Sequence, residues 1–192
     1  WYPARAMELE KVVPDSIEEV ILERAKVQEE LGGELDLLRA LSVVGFELPL
    51  ALVERLVSRE YPDWSSRDLH GRLHGLKKAG FLVEAPEIEG YEFEHQLKRE
   101  VLYKDEDFPE GERLRLRGEI ACILLENQIF ADPDEQTRQL ARHLVRAPRE
   151  LKAAHVSVIA KAADMEKGLR NFSRSLEYYN AALELTPDDT FE

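Results

Sequence analysis

Apolar residues recur along most of this chain at helical spacing, interrupted once by a stretch of alternating character. Ile17, Val20, Ile21 and Ala25 follow Asp15 and Ser16, whose side-chain oxygens suit helix N-caps, and Glu18 and Glu19 suit a first turn. Gly32-Gly33 stops that helix. Leu35, Leu37, Leu38, Leu41 and Val44 give a helix over 34–44 a wide apolar face, and Gly45 follows as its stop. Pro49 can open a third helix, with Leu52, Val53, Leu56 and Val57 inward, until Tyr61-Pro62-Asp63 breaks it. Ser65 or Ser66 caps a fourth, in which Leu69, Leu73 and Leu76 share one face and Gly80 ends the run.

The period then changes. Phe81-Leu82-Val83 is a short apolar run, Glu89-Gly90 marks a turn, and Tyr91-Glu92-Phe93-Glu94-His95 alternates ring and charge as a half-buried strand does. The expectation is a two-stranded hairpin of residues 81–85 and 91–95. Helix returns over 96–103, and 105–111 reads as an acidic loop. A long amphipathic helix over 112–126 carries Cys122 near its apolar side. Asp132-Pro133 caps a helix with Leu140, Ala141 and Leu144 periodic, closed by Pro148. Two last helices, 149–166 and 169–185, join at Lys167-Gly168.

Three helices followed by a hairpin is the order of a winged-helix module, with the hairpin as wing and 66–79 in the position of a recognition helix. An irregular helical bundle with an exposed loop is the plainer alternative. The last two helices add a second pattern. In Ser175-Leu-Glu-Tyr-Tyr179-Asn-Ala-Ala182-Leu-Glu-Leu-Thr-Pro187, Tyr179, Ala182 and Pro187 stand at tetratricopeptide-repeat spacing. Ser175 takes a position usually held by Ala, and Ala163 takes the small-residue position of the first helix. An ordinary helical hairpin is the alternative here. The expected fold is therefore mainly α: a helical lead-in (1–33), a winged helix (34–103), a helical linker (104–147) and a tetratricopeptide-like (TPR-like) hairpin (148–192). One such repeat cannot bury its own face, so it must stack on neighbours.

Charge changes this picture. The 192 residues include 26 basic and 39 acidic groups, a formal net charge of -13, which opposes broad binding to nucleic acid or anionic membrane. The average hides one exception: residues 65–82 hold four basic groups and one acidic, whereas 83–132 hold six and fourteen. The content of 44% hydrophobic residues supports a packed core, and no apolar stretch is long enough to cross a membrane as a helix. The single cysteine excludes a disulfide framework. The chain opens Trp1-Tyr2-Pro3 without signal-peptide character and reads as a piece of a longer protein or a processed product.

Several segments together resemble one family. Leu41-Ser-Val-Val-Gly45 is similar to the segment that opens the winged-helix region of signal-transduction ATPases with numerous domains (STAND), and Leu76-Lys-Lys-Ala-Gly80-Phe-Leu82 fits the same region. Phe93-Glu-His95-Gln-Leu97-Lys-Arg-Glu100-Val101-Leu-Tyr103 resembles the F-x-H-x-L-x-x-E-V-x-Y signature of bacterial members, including ATPase regions attached to cyclases and transcriptional regulators. Glu112-Arg113 through Ile120-Ala121, and Leu140-Ala-Arg-His143-Leu144, match the segments that follow. The likeness covers most of 12–187 and rests on order and spacing. The chain holds no G-x-x-x-x-G-K-[ST] phosphate loop and no acidic run behind one, so the likeness implies an ATPase core before Trp1 and no ATP hydrolysis by this chain alone. It implies a cytoplasmic, non-catalytic regulatory region with no cofactor of its own. ATP or ADP would belong to the intact protein. The partners implied are the upstream core and downstream repeats.

Within this likeness His95 is similar to the histidine of the M-H-D motif in resistance and apoptosome-type proteins, which reaches the β-phosphate of ADP and holds the closed state. Gln96 stands at the Asp position. The resemblance implies that His95 senses nucleotide when the core is present; the plainer reading is a local hydrogen bond that caps the wing. The basic island Arg67, His70, Arg72, His74, Lys77 and Lys78 could meet DNA phosphates or an acidic partner surface. The adjoining Glu84, Glu87, Glu89, Glu92 and Glu94 would repel DNA, so a DNA-binding winged helix with a helical dimerisation tail is the rival reading. His70 and His74 have metal-sharing spacing but no third ligand nearby, so no metal site is expected. Cys122 is expected buried and inert, and Phe172, Tyr178 and Tyr179 are expected to pack within the repeat. No nucleophile–base set appears, so no enzyme activity is expected.

Overall fold

The computed structural model describes residues 16–30 and 34–185. Asp15, Gly32-Gly33 and Pro187 lie outside the described residues. The order is α1 (Ile17–Glu30), α2 (Glu34–Val44), β1 (Glu47–Pro49), α3 (Leu50–Glu60), α4 (Ser66–Lys78), β2 (Leu82–Glu84) and β3 (Gly90–Phe93), then α5 (Gln96–Lys104), α6 (Glu110–Glu126), α7 (Pro133–Leu144), α8 (Arg149–Ala154), α9 (Val156–Gly168) and α10 (Phe172–Leu183). The described residues are thus mainly helical, with one small antiparallel sheet. None of their helices is long and apolar enough to cross a membrane.

Local chemistry accounts for the helix ends. Ser16 Oγ accepts from Glu19 N–H (3.2 Å) at the start of α1. Ser65, rather than Ser66, caps α4 through a reciprocal capping box with Asp68. Gly80 leaves α4 at φ 76°, a left-handed conformation that a side chain disfavours. Asp132 accepts from Asp134 N–H, and Pro133 fills the first turn of α7, where no N–H is needed.

The sheet corrects the two-stranded expectation. Its order is β1-β3-β2, with Leu48 opposite Tyr91 and Leu82 opposite Phe93. Three residues are too few for an alternating pattern, so β1 left no periodic trace. Pro49 both closes this edge strand, where a missing N–H is tolerated, and precedes α3. Gly90 makes the junction possible: a Cβ there would fall 2.2 Å from the Leu48 carbonyl oxygen.

The buried apolar residues, Ala147 excepted, form one contiguous cluster from Ile21 to Ala182. Helix α2 lies at its centre, with eight of its residues buried, and touches α1, α5, α6 and β1. Further along, α6 packs on α7, α7 on α9, and α9 on α10.

Three boundaries differ from the sequence expectation. Helix α6 starts at Glu110, and the acidic loop is not wholly solvated: Asp105 is buried and accepts from Arg39 Nε (3.0 Å) and Nη2 (2.6 Å). The helix expected over 149–166 breaks at His155 into α8 and α9. The final turn runs through Leu169, Arg170 and Asn171 rather than Lys167-Gly168, with Arg170 at φ 61°.

Candidate functional site

His95 follows β3 and stands at the N-cap of α5, in extended conformation (φ -143°, ψ 140°). Its carbonyl accepts from Lys98 N–H (3.0 Å), but its ring is exposed and forms no capping bond. Lys98 Nζ pairs with Glu94 and donates to the Gly80 carbonyl (2.5 Å). The hydrogen bond from Lys98 holds the Glu94 carboxyl below its ordinary range; the charges of Lys98, His95 and Arg24 act the same way. Arg24 of α1 reaches across and donates to the Ala79 carbonyl (3.0 Å). His95 therefore follows Glu94 at a point where Arg24 of α1, the end of α4 and Lys98 of α5 are joined by hydrogen bonds.

The basic island is split by its own contacts. Arg72 lies 4.1 Å over the Trp64 ring and 3.8 Å from Glu34. Lys77 pairs with Glu84 on β2 (2.5 Å). His70 Nδ1 lies 2.8 Å from the Ser66 carbonyl, and its Nε2 3.8 Å from Glu54. Arg67, His74 and Lys78 are exposed. Beside them Glu47 faces Glu92 across the sheet, adding negative charge to the hairpin. The structure therefore keeps the six residues on one helix but engages three of them within the fold.

The residues of the TPR-like pattern fall at the crossing of α9 and α10. Ser175 Oγ donates to the Ala163 carbonyl (2.9 Å), and both residues are buried. Ala182 is buried one face-repeat later. Tyr179 is half-buried, its hydroxyl donating to Asp164, while Tyr178 is the ring that enters the core. Phe172 does not pack as expected: it is 65% exposed and lines up with the exposed Leu176 and Leu183 along α10. Cys122 is half-buried rather than buried; loss of hydration, with Glu119 and Glu126 nearby, raises its pKa and keeps it a thiol. No group of three His, Cys, Asp or Glu among the described residues is arranged to hold a metal.

Local sequence reading missed a buried cluster of guanidinium and imidazole groups. Arg117 of α6 and His143 of α7 are buried, and Arg99 and Arg142 lie close enough for repulsion to depress His143. Burial first, then Arg99 and Arg117, lowers Arg142 to about 10. Burial and Arg117 likewise lower Arg99, whose Nε donates to the Ser42 carbonyl (3.0 Å). One signal was present: Arg117 and the Arg142-His143 pair sit among apolar residues at core spacing on their helices.

No protein family, curated protein or solved structure matches this chain.

Proposed function

We propose that this chain is a non-catalytic regulatory and protein-interaction region of a STAND-type ATPase, in which residues 34–103 form a winged helix that couples nucleotide state to helical repeats. The order α2-β1-α3-α4-β2-β3, with β1 added to the hairpin beside β3, supports the winged helix. The buried small residues Ala163, Ser175 and Ala182 where α9 crosses α10 support the TPR-like pair. The exposed apolar line Phe172, Leu176 and Leu183 suits the face that a stacked array turns to its next helical pair.

The single observation that carries the nucleotide-sensing role is the exposed His95 ring, free of a capping bond at the exit of β3. An imidazole so placed can donate to a phosphate oxygen supplied by an ATPase core. Contact in the ADP state would hold the closed arrangement, and its loss would shift the population to an open, associating one. The DNA-binding rival has less support, since Arg72, His70 and Lys77 are engaged and the hairpin is acidic.

The test uses the intact ATPase-containing protein. His95→Ala is expected to speed ADP release by about tenfold, the loss of one hydrogen bond to a charged group. An unchanged ADP off-rate would sink the assignment. Titration of the present chain with duplex DNA at low salt is expected to give no salt-dependent binding; a salt-dependent isotherm would favour the rival.

A further inference from the structure

Where α5, α6 and the α7–α8 connection meet, the protein gathers cations without matching carboxylates. Three guanidinium carbons surround the Tyr103 ring, those of Arg99, Arg113 and Arg117 lying 5.6, 5.4 and 5.4 Å from its centroid. Arg117 is only 2% exposed. Its Nη2 donates to the Tyr103 hydroxyl (3.1 Å), but its Nε and Nη1 have no partner among the described residues. A cavity of about 460 Å³ opens here, lined by Tyr103, Lys104, Arg113, Arg117, Arg146 and Lys152. Among the described residues the one carboxylate lining it is Glu110.

The partners these cations do have leave charge in excess. Arg113 Nη1 donates to the neutral Tyr103 carbonyl (2.7 Å). Among the described residues, Arg146 is the cation of this group that pairs with a carboxylate, Glu177 of α10 (3.0 Å), and that pair is exposed. Burial and mutual repulsion depress the neighbouring Arg99 and Arg142. Among the described residues no carboxylate pairs with Arg117, the guanidinium that is most buried. A buried cation with unpaired donors is unfavourable; those two donors are sealed from solvent, so an anion seated on Arg113, Arg146 and Lys152 would offset the Arg117 charge electrostatically rather than by bonding them.

We infer that this cavity is a binding site for a compact, multiply charged phosphate ligand. Guanidinium forks match the oxygens of a phosphate, and the excess of several cations over one carboxylate fits a polyanion better than a single carboxylate. Leu114, Val145 and Ala147 supply an apolar wall beside the cations. Because the lining comes from α5, α6 and the start of the α8 region, an occupant would clamp the sheet-bearing part of the fold to the helical array. The site lies at the far end of α5 from His95 and does not depend on the role proposed for that residue.

Titration of the whole chain with inorganic pyrophosphate at low salt tests this. Saturation calorimetry is expected to show binding, and a 100-fold excess over Kd to raise Tm by roughly 5–10 °C. Lys152→Glu should weaken binding about tenfold or more without altering the fold of the free protein. Arg117→Met should weaken binding by removing its field from the cavity, while leaving the free protein as stable or more so, since it removes an unpaired buried charge. Where Arg117→Met does not fold, the Lys152→Glu comparison still decides. His95→Ala should leave pyrophosphate binding unchanged. An ADP arm distinguishes the source: ADP binding tighter than pyrophosphate assigns the apolar wall to a nucleoside, and equal affinity assigns a free polyphosphate. Absence of binding at millimolar pyrophosphate, or equal affinity in Lys152→Glu, overturns the inference.

Discussion

His143 shows how a single residue takes its character from its surroundings. It is buried on α7, and loss of hydration, followed by repulsion from Arg142, Arg117 and Arg99, holds its pKa well below the ordinary value; a backbone hydrogen bond with Val44 opposes this only in part. In the unfolded chain it titrates near about 6.5. Below that pH the unfolded state binds a proton that the folded state refuses, so the stability is present above about 6.5 and is lost as pH falls. The unfolding free energy should drop by up to about 1.4 kcal/mol per pH unit between about 6.5 and 5. Urea unfolding across that range should show the slope in the parent chain and a flatter one in His143→Asn; equal slopes would refute the assignment. The helix carrying His143 is legible from Leu140, Ala141 and Leu144, but the neutral state is not. It is imposed first by the tertiary packing that strips the ring of water, to which Arg117 and Arg99, brought from α6 and α5, add repulsion beyond that of the adjacent Arg142.

At the scale of elements, α10 separates two aromatic residues that look alike in sequence. Tyr178 is 2% exposed and Phe172 65% exposed. Tyr178→Ala should therefore cost about 3–5 kcal/mol, and Phe172→Ala no more than about 0.5 kcal/mol, in urea or thermal unfolding. Comparable losses would mean that Phe172 is covered. The helices themselves were legible because apolar spacing and caps act within a turn or two. Ser65 and Asp68 announce α4 by themselves. β1 was not legible, because its pairing partners Gly90 to Glu92 lie more than 40 residues away. The break at His155 was not legible either: α8 buries no residue, so its pattern carries no mark of where packing ends it.

For the whole molecule, the Arg39–Asp105 pair ties the central helix to the α5–α6 loop. The two side chains are 12% and 4% exposed. Arg39→Met would leave the Asp105 carboxylate buried beside fewer donors and should cost about 3–5 kcal/mol of stability. Adding Asp105→Leu should restore much of it, since the stranded charge is then gone. Chemical denaturation of the two variants measures both effects, and a double variant as unstable as the single one would contradict this account. The order of the helices, their caps and the uneven charge were determined by the sequence alone, because each rests on residues within a few positions of one another. The third strand, the partner of Asp105, the guanidinium and imidazole cluster around Arg117 and the bare face of α10 were decided only by the tertiary structure. Each depends on groups brought together from afar, 66 residues apart for Arg39 and Asp105, or on the lack of a covering neighbour. Local periodicity encodes which face of a helix is apolar, but not which distant group meets it.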